Sequence, residues 1–169
     1  MGSLQMAFPH PVDAEIEQIV LEILHRKAVG ALSMYVDTVR AFQETYGPQA
    51  LELLRARRLQ SSIDAAARAG ATAADRSLRG YCRALEEGCR GSQEWEKLED
   101  SDTRQAYRFT RCLWAEVFVS LDAADIGFWI CAADGPAAAA FDPRIRFQRT
   151  QTLMQGHAYC DHVYYTDEA

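Results

Sequence analysis

The hydrophobic period of this chain changes near residue 90, and that change restricts the fold more than any other feature. Before it, apolar residues recur three and four apart, as on one face of a helix; after it come stretches that alternate, as in a half-buried strand. Ile16, Ile19, Val20, Ile23 and Leu24 follow "PVDAE", where Asp13 can cap the free N–H groups of a helix start, and the spacing predicts a helix ending near Gly30. Leu32, Val36, Val39, Phe42 and Tyr46 predict a second helix that stops at Gly47-Pro48. Two more are expected over Ala50 to Ala69 and Thr72 to Cys89, with interruptions at Gly70 and Gly80.

"EWEKLED" and "QAYRFTRC" then alternate, with Tyr107 and Phe109 opposite Arg108 and Thr110, and "DSDT" between them suits a hairpin turn. "SLDAADIGFWICAADGPAAAAFDP" returns to helical spacing: Asp122 can cap, Ile126, Trp129, Ile130 and Ala133 form the apolar stripe, Gly135-Pro136 kinks or splits it, and Asp142-Pro143 ends it. "RIRFQRTQTL" and "YCDHVYY" predict a second hairpin joined at Gln155-Gly156. The expected fold is therefore α+β: N-terminal helices followed by a β-β-α-α-β-β unit whose antiparallel sheet packs against helices on one side. At 169 residues, without linker or repeat, the expectation is one domain, with a helical half over 1–90 and a sheet-forming half over 91–169. Met1 to Phe8 and Thr166 to Ala169 are expected to fray.

Charge narrows the partners. Lys and Arg number 18 against 24 acids, a net of −6, which opposes binding to a phosphate backbone. The basic knot Arg55, Arg57 and Arg58 reads as a solvated helix face. No apolar run approaches the ~20 residues that cross a bilayer, and "MGSLQMAFPHPVDAE" lacks the parts of a signal peptide, so no membrane partner and a cytoplasmic location are expected. Five cysteines (82, 89, 112, 131 and 160), an odd number without CxxC spacing, are expected to be free thiols. Cys82 and Cys89, seven apart, suit packing on one helix face. No glycine-rich phosphate loop, GxSxG elbow or dinucleotide fingerprint occurs, and no cofactor is expected.

The reactive side chains concentrate in "GHAYCDHVYY", residues 156–165. On a strand, Cys160, His162 and Tyr164 share one face, while Tyr159, Asp161, Val163 and Tyr165 share the other. A thiol and an imidazole leaving one face together can make a nucleophile and base; the bland alternative is a small buried cysteine beside a surface histidine. His157, Cys160, Asp161 and His162 are also donors for a metal, but neither CxxC nor HExxH spacing supports one, and no metal is expected. Cys112, ahead of Glu116 in "RCLWAE", opens a helix whose dipole favours thiolate, or is a buried cysteine beside Trp114. Asp134 sits where a helix breaks, either as a turn residue or as a pocket acid.

Taken together, "TRCLWAE", "GFWICAADGPAAAAFDPRIRFQRTQTLMQG" and "YCDHVYY", over about residues 104–165, resemble the L-2-amino-thiazoline-4-carboxylic acid hydrolase family. The resemblance rests on Cys112, Trp114, Asp134, Arg149, Thr150, Gly156, Cys160, Asp161 and His162, in that order. It implies a hydrolase that opens a small cyclic amidine or isothiourea-like ring at a C–N bond. Cys160, His162, Asp161 and Asp134 are the implied catalytic residues, and Arg149, Cys112, Glu116 and Trp114 the implied substrate-binding ones. In the implied mechanism His162 activates Cys160, a carboxylate holds the ring nitrogens, and Arg149 holds a substrate carboxylate. A rival has Asp134 as base for direct water attack. His157 departs from the acidic or small residue expected in relatives. The non-enzyme alternative is a small-molecule or redox sensor with a pocket between helices and sheet. The N-terminal helices, with more amphipathic surface than one small sheet covers, admit a homo-oligomer.

Overall fold

The computed structural model describes residues 10–167. The expected fraying of Met1 to Phe8, Glu168 and Ala169 lies outside the described residues. Thr166 does not fray: it ends the last strand and donates its N–H to the Thr103 carbonyl at 3.0 Å.

Helix α1 runs unbroken over Ala14–Tyr46, capped by Asp13, whose carboxylate accepts from the N–H groups of Glu15 and Ile16. The expected stop at Gly30 does not occur. A glycine inside a helix costs about 1 kcal/mol against alanine without breaking the hydrogen-bond ladder, and the helix ends instead at Gly47 (φ 77°), just ahead of Pro48. Pro48 then starts α2 (Pro48–Thr72), and α3 follows at Leu78–Cys89. The turn at residues 73–77, capped by Ser77, separates them, and Gly80 lies in the first turn of α3 rather than breaking it.

Strands β1 (Gln93–Asp100) and β2 (Arg104–Cys112) form the expected hairpin. Three short helices follow: α4 (Leu113–Ser120), α5 (Ala124–Cys131) and α6 (Asp134–Phe141). The last two are the expected segment, split just ahead of Gly135-Pro136. Asp122 is not its cap. It has φ 51°, and Ala123 stands at the cap position without a side-chain bond.

Strand β3 (Ile145–Gln148) is only four residues long, and a loop with a single 3-10 turn at Leu153–Gln155 leads to β4 (Cys160–Thr166). The expected tight connection at Gln155-Gly156 is thus the exit of that turn, with Gly156 left-handed at φ 84°. The sheet is antiparallel throughout in the order β1-β2-β4-β3.

Two apolar clusters hold these layers. Tyr107, Phe109, Cys160, Tyr164 and Ile145 of the sheet pack on Leu78, Cys82 and Cys89 of α3 and on Ala138 and Phe141 of α6. The second cluster joins Val36 and Val39 of α1 to Ala115 and Phe118 of α4, Ala123 and Ile126 at the start of α5, and Met154. Among the described residues, no helix is long and apolar enough to cross a membrane.

Candidate active site

A cavity walled by most of the reactive side chains lies between the inner face of β2 and β4, α3, and the α4–α6 segment. It measures about 80 Å³, and its lining includes Phe109, Trp114, Asp134, Cys160 and His162. The alternation of β4 places Cys160, His162 and Tyr164 on this face. Cys112 of the β2–α4 junction, Cys131 of α5 and Cys89 of α3 also reach it, so four thiols line one small space. Larger grooves of about 450 and 500 Å³ lie elsewhere, beside the start of α3 and under the N-terminal half of α1.

Cys160 is buried and its thiol is held on two sides. It donates to Thr152 Oγ1 at 3.3 Å and accepts from the Leu153 backbone N–H at 3.2 Å. No hydrogen bond joins it to His162. That imidazole packs against the rings of Phe109 and Phe147, with its Nδ1 3.4 Å from the Tyr164 hydroxyl and its Nε2 3.9 Å from Asp134. Burial first, and then the Arg149 cation, lower its pKa to about 3, so it is neutral near pH 7. Burial holds Tyr164 well above the usual phenol range, so its hydroxyl keeps its proton. With its proton on Nε2, the imidazole faces Asp134 and leaves Nδ1 to accept from the Tyr164 hydroxyl.

Asp134 opens α6. Burial raises its pKa to about 6, even though Arg149 opposes the shift by donating from Nη1 to Oδ2 at 2.5 Å. Arg149 lies just past the end of β3, on the loop rather than on a strand, where its other Nη donates to the Cys131 carbonyl at 3.1 Å. Its guanidinium also lies over the rings of Phe128 and Phe147. Asp134, Arg149 and neutral His162 together carry no net charge.

The remaining candidates divide. Cys112 and Trp114 line the cavity, but burial raises the Cys112 thiol pKa, so the helix start does not make it a thiolate. Glu116 does not reach the cavity: it pairs with Arg111 at 2.7 Å and faces the groove beneath α1. Asp161 points from β4 away from the cavity and grips the loop. Oδ1 accepts from the N–H groups of Thr150 and Gln151 at 2.9 and 2.8 Å, and Oδ2 from the Thr150 hydroxyl at 2.6 Å. Among the described residues, no three His, Cys, Asp or Glu side chains are placed to hold a metal ion. Thr152 and the Leu153 N–H went unread in the sequence because nothing local links residue 152 to residue 160.

Fold and site define the class: an α+β protein that encloses a small cavity, with a thiol, a carboxylate and an imidazole in its wall, between an antiparallel sheet and helices. The chain belongs to the L-2-amino-thiazoline-4-carboxylic acid hydrolase family, whose model matches residues 26–164. The match reaches well into the N-terminal helices, beyond the 104–165 span that carried the resemblance. No individually curated protein matches the chain. Among solved structures, the fold is similar to that of the phenol-responsive sensory domain of the transcription activator PoxR with phenol. The TM-score is 0.50 at 14% identity, over 79% of this chain and 73% of that one.

Proposed function

We propose that the protein is a hydrolase that opens a small cyclic amidine or isothiourea ring, of the 2-amino-thiazoline-4-carboxylate type, at its ring C–N bond, with Cys160 as nucleophile. The observation that carries this reading is Asp134, a carboxylate with a pKa near 6 in the same cavity as Cys160 and His162. A group poised there takes and returns a proton near neutral pH. The family's name supports a hydrolase.

In this mechanism Asp134 accepts the thiol proton and the sulfur attacks the carbon between ring nitrogen and ring sulfur. Asp134 then returns the proton to the ring nitrogen as the C–N bond breaks, leaving the carbon bonded to Cys160. Water adds to that carbon and expels the Cys160 thiol, releasing an S-carbamoyl product. The Leu153 N–H steadies negative charge on sulfur, and His162 Nε2–H donates to the substrate. Arg149 turns part of its fork from Asp134 to the substrate carboxylate. This departs from the sequence expectation, because neutral His162, with Nδ1 engaged by Tyr164, is a poor base for Cys160.

The cavity of about 80 Å³ is smaller than the roughly 150 Å³ that holds benzene, so ring binding needs a side chain to swing out. Trp114, 40% exposed on the cavity wall, is the residue to do so. Turnover of 2-amino-thiazoline-4-carboxylate, followed by mass and by thiol titration, tests the reading. C–N cleavage yields an S-carbamoyl product without a new thiol, whereas C–S cleavage releases one. Activity lost in Asp134→Asn but kept in Cys160→Ser assigns the attack to water instead. Absence of turnover by folded wild type, with saturable quenching of tryptophan fluorescence by small ring compounds, supports a ligand-binding sensor. The fold it shares with a phenol-responsive domain favours that second reading.

A further inference from the structure

Helix α1 is apolar on two sides, and among the described residues only one of them packs into a core cluster. Val36 and Val39 turn inward to the second core cluster. Around the helix from them, at 3.6 residues per turn, Ile16, Ile23, Gly30, Met34 and Ala41 form a line along the outer face, flanked by Ile19. All of these are exposed, Met34 to 72% and Ile16 to 56%. Two small residues, Gly30 and Ala41, and two charged ones, Lys27 and Asp37, on the same side point to its occupant.

We propose that this face is a dimer interface, with α1 of one copy antiparallel to α1 of a second copy about a two-fold axis near residue 32. That register sets Met34 on the partner's Gly30, Ile23 on the partner's Ala41 and Lys27 beside the partner's Asp37. Each large side chain meets a small one, and each free charge meets its opposite. Within the described residues neither Lys27 nor Asp37 makes an ion pair. A parallel arrangement would set Lys27 against Lys27 and Asp37 against Asp37, which is repulsive.

Gly30 is the second, independent indication. A Cβ built there meets nothing within 4 Å, so the chain's own packing does not require a glycine that weakens the middle of the helix. Close approach of another helix does require it. In that register residues 18–46 of the two helices overlap, roughly 43 Å of helix, and a pairing of that length buries several hundred Å² per partner, approaching the roughly 800 Å² of a standard stable interface.

Sedimentation equilibrium of the full chain tests this. At tens of micromolar the wild type should have twice the chain mass. Met34→Asp and Gly30→Leu should be monomers with unchanged far-ultraviolet dichroism, since Met34 is largely exposed and a Cβ at Gly30 meets open space. Lys27→Asp and Asp37→Lys should each weaken association about tenfold, and the double exchange should restore it, because only the antiparallel register brings the two positions together. A monomeric wild type overturns the proposal, and its co-sedimentation with anionic lipid vesicles would give the face to a membrane surface instead. A dimer indifferent to Gly30→Leu and Met34→Asp overturns it equally.

Discussion

Asp134 and His162 respond to pH in opposite senses within one cavity. The His162 pKa is about 3 folded and about 6.5 unfolded, so the unfolded chain binds more protons between those values and stability falls as pH drops through that window. The Asp134 pKa is about 6 folded and about 3.9 unfolded, so the native state binds more protons between those values and stability falls as pH rises from about 4 to 6. Each effect amounts to a few kcal/mol at most, and between pH 4 and 6 they offset. Urea midpoints at pH 4.5, 5.5 and 7 should separate them. Asp134→Asn should lose stability more steeply on acidification than wild type, and His162→Gln should gain it. Equal slopes in all three proteins would mean that neither group is buried as described. That Cys160 and His162 share a face was legible, because strand period dictates it. The Arg149–Asp134 pair, fifteen residues apart across α6 and β3, was not, since only tertiary folding makes it.

At the scale of elements, Asp161 clamps the loop that carries Arg149, Thr152 and Leu153. Burial alone would raise its pKa, but the bonds from Thr150 and Gln151 outweigh this and lower it. Asp161→Asn weakens charge-assisted bonds to two backbone N–H groups and should cost about 1–3 kcal/mol. Hydrogen exchange at Thr150 and Gln151 should quicken, while the α1 amides stay protected. Unchanged exchange would show the loop held by other contacts. Gly70 of α2 lies so close to the Phe141 backbone carbonyl of α6 that a Cβ there must displace backbone. Gly70→Ala should therefore cost several kcal/mol in thermal unfolding, whereas Gly30→Ala should stabilise the isolated chain. Helix and strand types were legible from hydrophobic period, but boundaries at Gly30, Asp122 and β3 were not. Gly30 keeps helical geometry because the helix continues into packed residues on its far side, and Asp122 turns left-handed to fit α5 against α4.

For the whole molecule, the change of period near residue 90 falls between α3 and β1, where the chain passes from its three N-terminal helices to the first hairpin. The five cysteines are all free, and Cys82, Cys89 and Cys160 are buried. Burial pushes the thiols of Cys89 and Cys131 up to about 12. A mild reductant should leave the melting temperature unchanged, and a thiol reagent should label the native protein far more slowly than the urea-unfolded one, where all five react. Fast native labelling of Cys89 or Cys131 would contradict their placement.

The ends of the sheet carry a consequence of their own. One outer strand, β1, has two register shifts and exposed acids, and the other, β3, has only four residues. Neither offers a straight row of free amide and carbonyl groups long enough for another chain to copy. Among the described residues the sheet edges therefore give fibril growth little to copy, and crowding the native protein should yield helix-to-helix association before strand pairing.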